Sequence, residues 1–177
     1  MGSIPVVDLE RDHIRGAPGG DVTLIEYGDF QCPYCGDAYP VVKALLGRYD
    51  WLRFAFRHMP LPDLHPRAPA AAEAAEAAAA QDAFWEMHDR LFENQHALTD
   101  DDLRGHAAAL GLDVERFDRE LREGVYRARV EEDLRSGALS GIPSTPRFFV
   151  NGAMHLGSPT EPDLRLAIEA EFEAEFQ

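Results

Sequence analysis

An apolar, β-branched run, Val22-Thr23-Leu24-Ile25-Glu26-Tyr27, hands over within a few residues to Cys32-Pro33-Tyr34-Cys35, and a stretch with helical periodicity follows. No other feature constrains the chain as strongly, and the tetrad holds both of its 2 cysteines. A strand that ends here and a helix that starts here put Cys32 at a helix N-terminus. Unpaired backbone N–H groups and the positive end of the helix dipole favour the thiolate there, and the thiolate is the form that attacks. One turn further on, Cys35 is close enough to close a disulfide with Cys32, or to resolve a mixed disulfide that Cys32 has formed. The placement points to a dithiol redox site.

Two other uses of a CxxC pair compete with that reading. Structural zinc wants four ligands, usually supplied by a second CxxC or by a closely spaced histidine pair. The 7 histidines (His13, His58, His65, His88, His96, His106, His155) are scattered, so no metal is expected. A disulfide that only staples the fold is disfavoured too, because so short a loop removes little chain entropy. Disulfide exchange needs no cofactor, and none is expected.

At 177 residues and 45% hydrophobic, the chain can bury one core with a subdomain grafted onto it. Its formal charge of -15 opposes binding to nucleic acid or to an anionic membrane surface. The opening Met1-Gly2-Ser3-Ile4-Pro5-Val6 lacks the basic and apolar regions of a secretory signal. Nothing downstream approaches the roughly eighteen uninterrupted apolar residues of a membrane span, so no membrane insertion is expected. A cytoplasmic location is the expectation, because exported proteins of this size often carry structural disulfides besides a catalytic pair. If Met1 to Ser3 stand where a leader has been removed, the location becomes periplasmic or otherwise extracytoplasmic.

Val22 to Tyr27 reads as a mostly buried strand, preceded by a Gly19-Gly20 turn. Tyr39, Val42, Leu45 and Leu46 recur at helical spacing between Gly36 and Tyr49, with Pro40 inside that helix. Leu52 to Arg57 alternates with period two, and together these segments make a right-handed βαβ unit. From about Pro66 to Gly137 strand signals stop and helices follow one another. Ala70 to Ala80 is an alanine-rich helix, and Phe84, Met87, His88, Leu91 and Phe92 form a core stripe on the next, His88 being a hydrogen-bonded core histidine. Thr99 and Asp113 cap two more helices, and a last one runs from about Val125 to Leu139 before Gly141. Strand character returns at Arg147-Phe148-Phe149-Val150, and Asn151-Gly152 predicts a tight hairpin to Ala153-Met154-His155-Leu156. Thr160 is the expected cap of a closing helix, with Pro162 in its first turn. The order βαβ, helical block, ββα predicts an α/β, thioredoxin-like fold with an inserted all-helical subdomain, divided at residues 1–62, 63–140 and 141–177.

Tyr27-Gly28-Asp29-Phe30-Gln31-Cys32-Pro33-Tyr34-Cys35, with Gly141-Ile142-Pro143-Ser144-Thr145-Pro146-Arg147-Phe148-Phe149-Val150-Asn151-Gly152 far downstream, resembles the bacterial DsbA family of thiol-disulfide oxidoreductases. The likeness runs from about His13 to Ile168. Arg57-His58-Met59-Pro60-Leu61, His65-Pro66 and Phe84-Trp85-Glu86-Met87-His88-Asp89 resemble in particular a signal-less subgroup with members fused to sodium/proton antiporters.

The resemblance implies disulfide exchange with thiol- or disulfide-containing protein substrates, and a redox partner that recycles the enzyme. It implies Cys32 as nucleophile and Cys35 as resolving thiol. Thr145-Pro146 matches a loop whose Thr-Pro bond is cis and which lies against the dithiol, where the Thr145 backbone pairs with an extended substrate segment. Pro33, Tyr34, Thr145 and Pro146 are the substrate-binding candidates. Glu26, six residues before Cys32, matches the buried acid of thioredoxin-like enzymes. A carboxyl on a buried strand should have a raised pKa, which suits proton transfer with Cys35.

The direction of electron flow stays open between oxidant, reductase and isomerase. Tyr34 stands where strongly oxidising members carry histidine, and Asp29, Asp37 and Glu26 would raise the thiol pKa. A potential between roughly -270 and -120 mV, the span from thioredoxin to the strongest oxidant, is expected. Two rivals remain: a glutaredoxin-like, glutathione-dependent reductase, which often shares the Cys-Pro-Tyr-Cys tetrad, and a non-catalytic interaction or sensor module.

Overall fold

The computed structural model describes residues 5–176. Met1 to Ser3, on which the expectation about a leader turned, lie outside the described residues. In chain order the elements are β1 (His13–Gly16), β2 (Val22–Gly28), α1 (Pro33–Arg48), β3 (Leu52–His58), α2 (Ala68–Ala79), α3 (Phe84–Glu93), α4 (Asp100–Ala109), α5 (Val114–Glu123), α6 (Arg127–Leu139), β4 (Arg147–Val150), β5 (Ala153–Met154) and α7 (Glu161–Glu175). This is the expected mixed α/β plan. The strands form one sheet in the order β1-β3-β2-β4-β5. The chain divides into two compact units. One takes in the segment up to Gly28, Asp37–Arg57 and the chain from Ser136 onward; the other takes in Asp29–Gly36 and His58–Arg135.

In the first unit, β2 is buried along nearly its whole length, and its backbone is paired on both edges, between β3 and β4. Leu24, Ile25, Glu26 and Tyr27 stand opposite Val150, Phe149, Phe148 and Arg147 of antiparallel β4. The hairpin from β4 to β5 turns through Asn151 and Gly152, both at positive φ (47° and 83°), as a two-residue turn of this hand requires. β5 ends at Met154, short of the expected Leu156, although His155 N–H still donates to Phe148 O at 2.8 Å. Leu156 is exposed, so no burial holds the strand any further. Helix α7 packs on β2 and β4 with Leu164 and Ile168 fully buried, and Phe172 stacks on Trp51 at 4.0 Å between ring centroids. Thr160 occupies the N-cap of α7, but its side chain makes no capping hydrogen bond, contrary to expectation.

Strand β1 was not foreseen. It pairs antiparallel with β3, His13 opposite Phe56 and Gly16 opposite Arg53. Three half-exposed residues and an exposed glycine, His-Ile-Arg-Gly, carry no readable alternation, so the edge of β3 selects them. Arg57 ties the segment before β1 to the sheet. Its guanidinium donates to both carboxylate oxygens of Asp12 (2.9 and 2.7 Å), to Tyr27 Oη (2.8 Å), to Ser136 Oγ (3.1 Å) and to Val6 O (2.7 Å).

The second unit is built around α2, which packs against α3, α4 and α5. Ala68, Ala71, Ala72, Ala74, Ala75, Ala77 and Ala78 are buried on it, and such small side chains let the surrounding helices approach closely. Thr99 and Asp113 cap α4 and α5 as expected, Thr99 in a reciprocal capping box with Asp102. The stripe on α3 is buried, and His88 hydrogen-bonds Asp89 at 2.9 Å. Gly124, at φ 63°, ends α5 in the left-handed conformation that glycine adopts without a Cβ clash. Among the described residues, no helix is long and apolar enough to cross a membrane.

Candidate active site

Strand β2 ends at Gly28 and α1 begins at Pro33, which puts Cys32 at the helix N-terminus as expected. Proline suits the first helical position, because its fixed φ is pre-organised and its missing N–H would have no helical partner there. Cys32 therefore immediately precedes the first turn of α1, and Cys35 lies within that turn. Cys32 N–H donates to Asp29 Oδ1 at 3.0 Å and Gly36 N–H donates to Cys32 O at 3.1 Å, so the nucleophile candidate is fixed through its backbone on both sides. Both cysteines are buried, Cys35 completely, whereas Pro33 is exposed and Tyr34 is 68% exposed beside them.

Asp29 organises this turn. Oδ1 also accepts Gln31 N–H at 2.8 Å, Oδ2 accepts Leu61 N–H at 3.0 Å and lies 2.9 Å from His65 Nδ1, and Asp29 N–H donates to Cys35 Sγ at 3.5 Å. A carboxylate buried in this way needs such donors to offset its lost hydration. Gln95, beyond α3, holds the other side. Its Nε2 donates to Phe30 O at 2.9 Å and Cys32 O at 2.8 Å. Gly36 makes the approach possible, because a Cβ there would stand 2.2 Å from Gln95 Oε1. Gln31 Oε1 accepts Arg67 N–H at 2.7 Å, and the Phe30 ring is buried among His58, His88 and Phe92.

Glu26 is buried in β2. Its Oε1 would lie 3.1 Å from a Cβ at Gly28, and the Phe56 ring would be nearer still at 2.4 Å, so glycine leaves room for both. The Thr145-Pro146 bond is cis and Thr145 is buried. Across the paired strands Glu26 stands opposite Phe148, two residues after Pro146. The predicted residues thus form two groups: Glu26 on β2 with Thr145 and Pro146 just before its partner strand β4, and Cys32, Pro33, Tyr34 and Cys35 at the start of α1. Among the described residues, no cluster of three or more metal-ligating side chains occurs.

The frame around the dithiol, Asp29, His65, Arg67 and Gln95, was missed as a unit. Asp29, Gln31 and His65 lie in the stretches that carry the family resemblance, but their pairing with positions more than thirty residues away leaves no local signal. Gln95 follows α3 in a segment that reads as an ordinary polar loop.

The profile of the family described as Thioredoxin matches residues 8–170. Among curated proteins, the chain is 48% identical over 166 residues to "Na(+)/H(+) antiporter NhaA 1" of Salinispora arenicola, a match covering 94% of this chain and 26% of that protein. The chain therefore spans about a quarter of the length of the curated relatives it matches. Among solved structures, a thioredoxin-like oxidoreductase from Silicibacter pomeroyi superposes with a TM-score of 0.83 at 27% identity, covering 92% of this chain and 93% of that one. The alpha-DsbA1 of Wolbachia pipientis superposes with a TM-score of 0.81 at 19% identity, covering 96% and 94%. The expected likenesses, to DsbA-type folds and to antiporter-associated domains, both recur. With residues 8–170 matched, nearly the whole of its length, the chain belongs to the thioredoxin family.

Proposed function

We propose that this chain is a thiol-disulfide oxidoreductase that exchanges disulfides with protein substrates through Cys32 and Cys35. The observation that carries the proposal is a two-cysteine turn at the N-terminus of α1, with Cys32 N–H bound by Asp29 and Cys35 Sγ buried against Asp29 N–H. In the reducing direction, the Cys32 thiolate attacks one sulfur of a substrate disulfide. The substrate S–S bond breaks, and its leaving sulfur takes a proton. Deprotonated Cys35 then attacks Cys32 Sγ, the Cys32–Cys35 bond forms, and the second substrate thiol departs. Two electrons have moved from dithiol to substrate, and oxidation runs the same steps backwards.

Glu26 takes up and returns the Cys35 proton in the resolving step, a role suited to a carboxyl on a buried strand. Exposed Pro33 and Tyr34, with Thr145 and Pro146, bind the substrate chain. The working direction follows the compartment: reductase in a reducing cytoplasm, oxidant outside it. The dithiol reduction potential, measured beside insulin reduction and refolding of a scrambled disulfide protein, tests the proposal. Turnover in either assay is expected. No exchange with any disulfide substrate would contradict it.

The antiporter names of the curated relatives favour a second reading, a sensor or docking module for a membrane transporter. Binding to transporter-containing vesicles that survives replacement of both cysteines, with no exchange activity in the unaltered chain, would establish that reading instead.

A further inference from the structure

Asp29 is bonded to both halves of the dithiol: its carboxylate accepts Cys32 N–H at 3.0 Å and its own N–H donates to Cys35 Sγ at 3.5 Å. The outer oxygen is pinned by Leu61 N–H at 3.0 Å and by His65 Nδ1 at 2.9 Å, so the carboxylate cannot swing away. Asp29 is 1% exposed, and its charge is spread through these donors and Gln31 N–H at 2.8 Å. A thiolate at Cys32 draws its stabilisation from the N–H groups and dipole at the start of α1. Here the Cys32 N–H is taken by a carboxylate, whose negative charge opposes a second one at the same helix end. The reduced, thiolate-bearing enzyme is thereby destabilised relative to the disulfide. His65 works the other way, because its donor withdraws part of the Asp29 charge.

We propose that Asp29, held in place by His65, is a positioning residue that sets the reduction potential of the Cys32–Cys35 couple, keeping it more reducing than the helix N-terminus alone would make it. This rests on the redox reading above. It assigns the dithiol's tuning to a carboxylate on the near side of Cys32, separately from the proton-handling role given to Glu26.

The test is equilibration of the full chain with glutathione. Two glutathione thiols become one glutathione disulfide, while the Cys32–Cys35 bond takes up their two electrons and two protons. Asp29→Asn should move the equilibrium about tenfold toward the dithiol, equivalent to a potential about 30 mV more positive. His65→Ala should move it the opposite way, by about threefold toward the disulfide, because the charge that the imidazole draws from Asp29 returns to the carboxylate and opposes the thiolate more strongly. General loosening of the fold gives no reason for opposite signs, and thermal melting of each variant reports any loosening. Shifts in the same direction, or no shift in variants that melt like the unaltered chain, would overturn the proposal. If Asp29→Asn does not fold, the sign of the His65→Ala shift decides. Should the unaltered chain fail to equilibrate as a two-electron couple, the redox reading falls and this role with it. If it equilibrates and the variants do not move, only the role of Asp29 falls.

Discussion

Cys32 and Cys35 draw their environment from side chains that are remote in sequence, and this sets what single substitutions can report. Glu26, a carboxyl buried on a central strand, is proposed to act on the Cys35 proton. Glu26→Gln keeps the shape and removes the proposed proton carrier. Resolution of a Cys32 mixed disulfide is therefore expected to slow by about a hundredfold, within the usual range for loss of general acid–base catalysis. Initial attack by Cys32 should be nearly unchanged, and the melting temperature should hold or rise. Stopped-flow traces of the two half-reactions across pH separate these effects; unaltered rates in both would leave Glu26 with a purely structural part. The cis Thr145-Pro146 bond and the burial of Glu26 could be anticipated because the family resemblance attaches them to short motifs. Asp29 was visible only as a nearby charge. Its four donors come from Gln31, Cys32, Leu61 and His65, and only the folded chain brings the last two to it.

Among the elements, the helices were the most legible, since apolar stripes and caps are local signals. The Phe84 to Phe92 stripe and the Thr99 and Asp113 caps all stand where the sequence put them. Short strands were the least legible. β1 exists because β3 offers an edge, and β5 stops where burial stops. Helix α1 carries a more specific consequence. Gly36 costs it about 1 kcal/mol of helix propensity relative to alanine, yet leaves room for Gln95. In Gly36→Ala, Gln95 has to retreat and release its two bonds to Phe30 O and Cys32 O, at about 0.5–1.5 kcal/mol each. The lost bonds outweigh the propensity gain, so a net destabilisation of about 1 kcal/mol is expected. With Gln95→Ala already present the obstacle is gone, and the same change at Gly36 should stabilise by about 1 kcal/mol. Urea unfolding of the four proteins in this cycle reads the sign reversal; equal effects on both backgrounds would deny the clamp.

For the molecule as a whole, the order of strands and helices could be read from periodicity, whereas the fastening of the segment before β1 could not, because it runs through one arginine to residues far apart in the chain. Arg57 and Asp12 are buried together, with side chains 4% and 0% exposed. Burial by itself would raise the Asp12 pKa, but hydrogen bonds from Arg57 and from Asp8 N–H, with the charges of Arg57 and Arg11, outweigh it and hold the carboxyl below its ordinary value. A carboxyl depressed in the folded state stabilises fully above its unfolded pKa of about 3.9, and that stability is lost as pH falls through the lower folded value. Asp12→Asn leaves the buried guanidinium without its counter-charge and should cost about 3–5 kcal/mol at neutral pH. Below about pH 3.9, as Asp12 of the unaltered chain takes up its proton, the difference should shrink. Chemical denaturation at a series of pH values checks this, and a gap independent of pH would show that the ion pair adds nothing.

The most direct measurement is trapping with a disulfide-containing substrate protein, read by intact mass and peptide mapping. Cys35→Ser should accumulate a mixed disulfide on Cys32, because attack proceeds while resolution cannot. Cys32→Ser should accumulate none, and iodoacetamide at mildly acidic pH should label Cys32 of the reduced chain ahead of Cys35. No adduct in either variant, or adducts found on Cys35 alone, would contradict dithiol exchange led by Cys32.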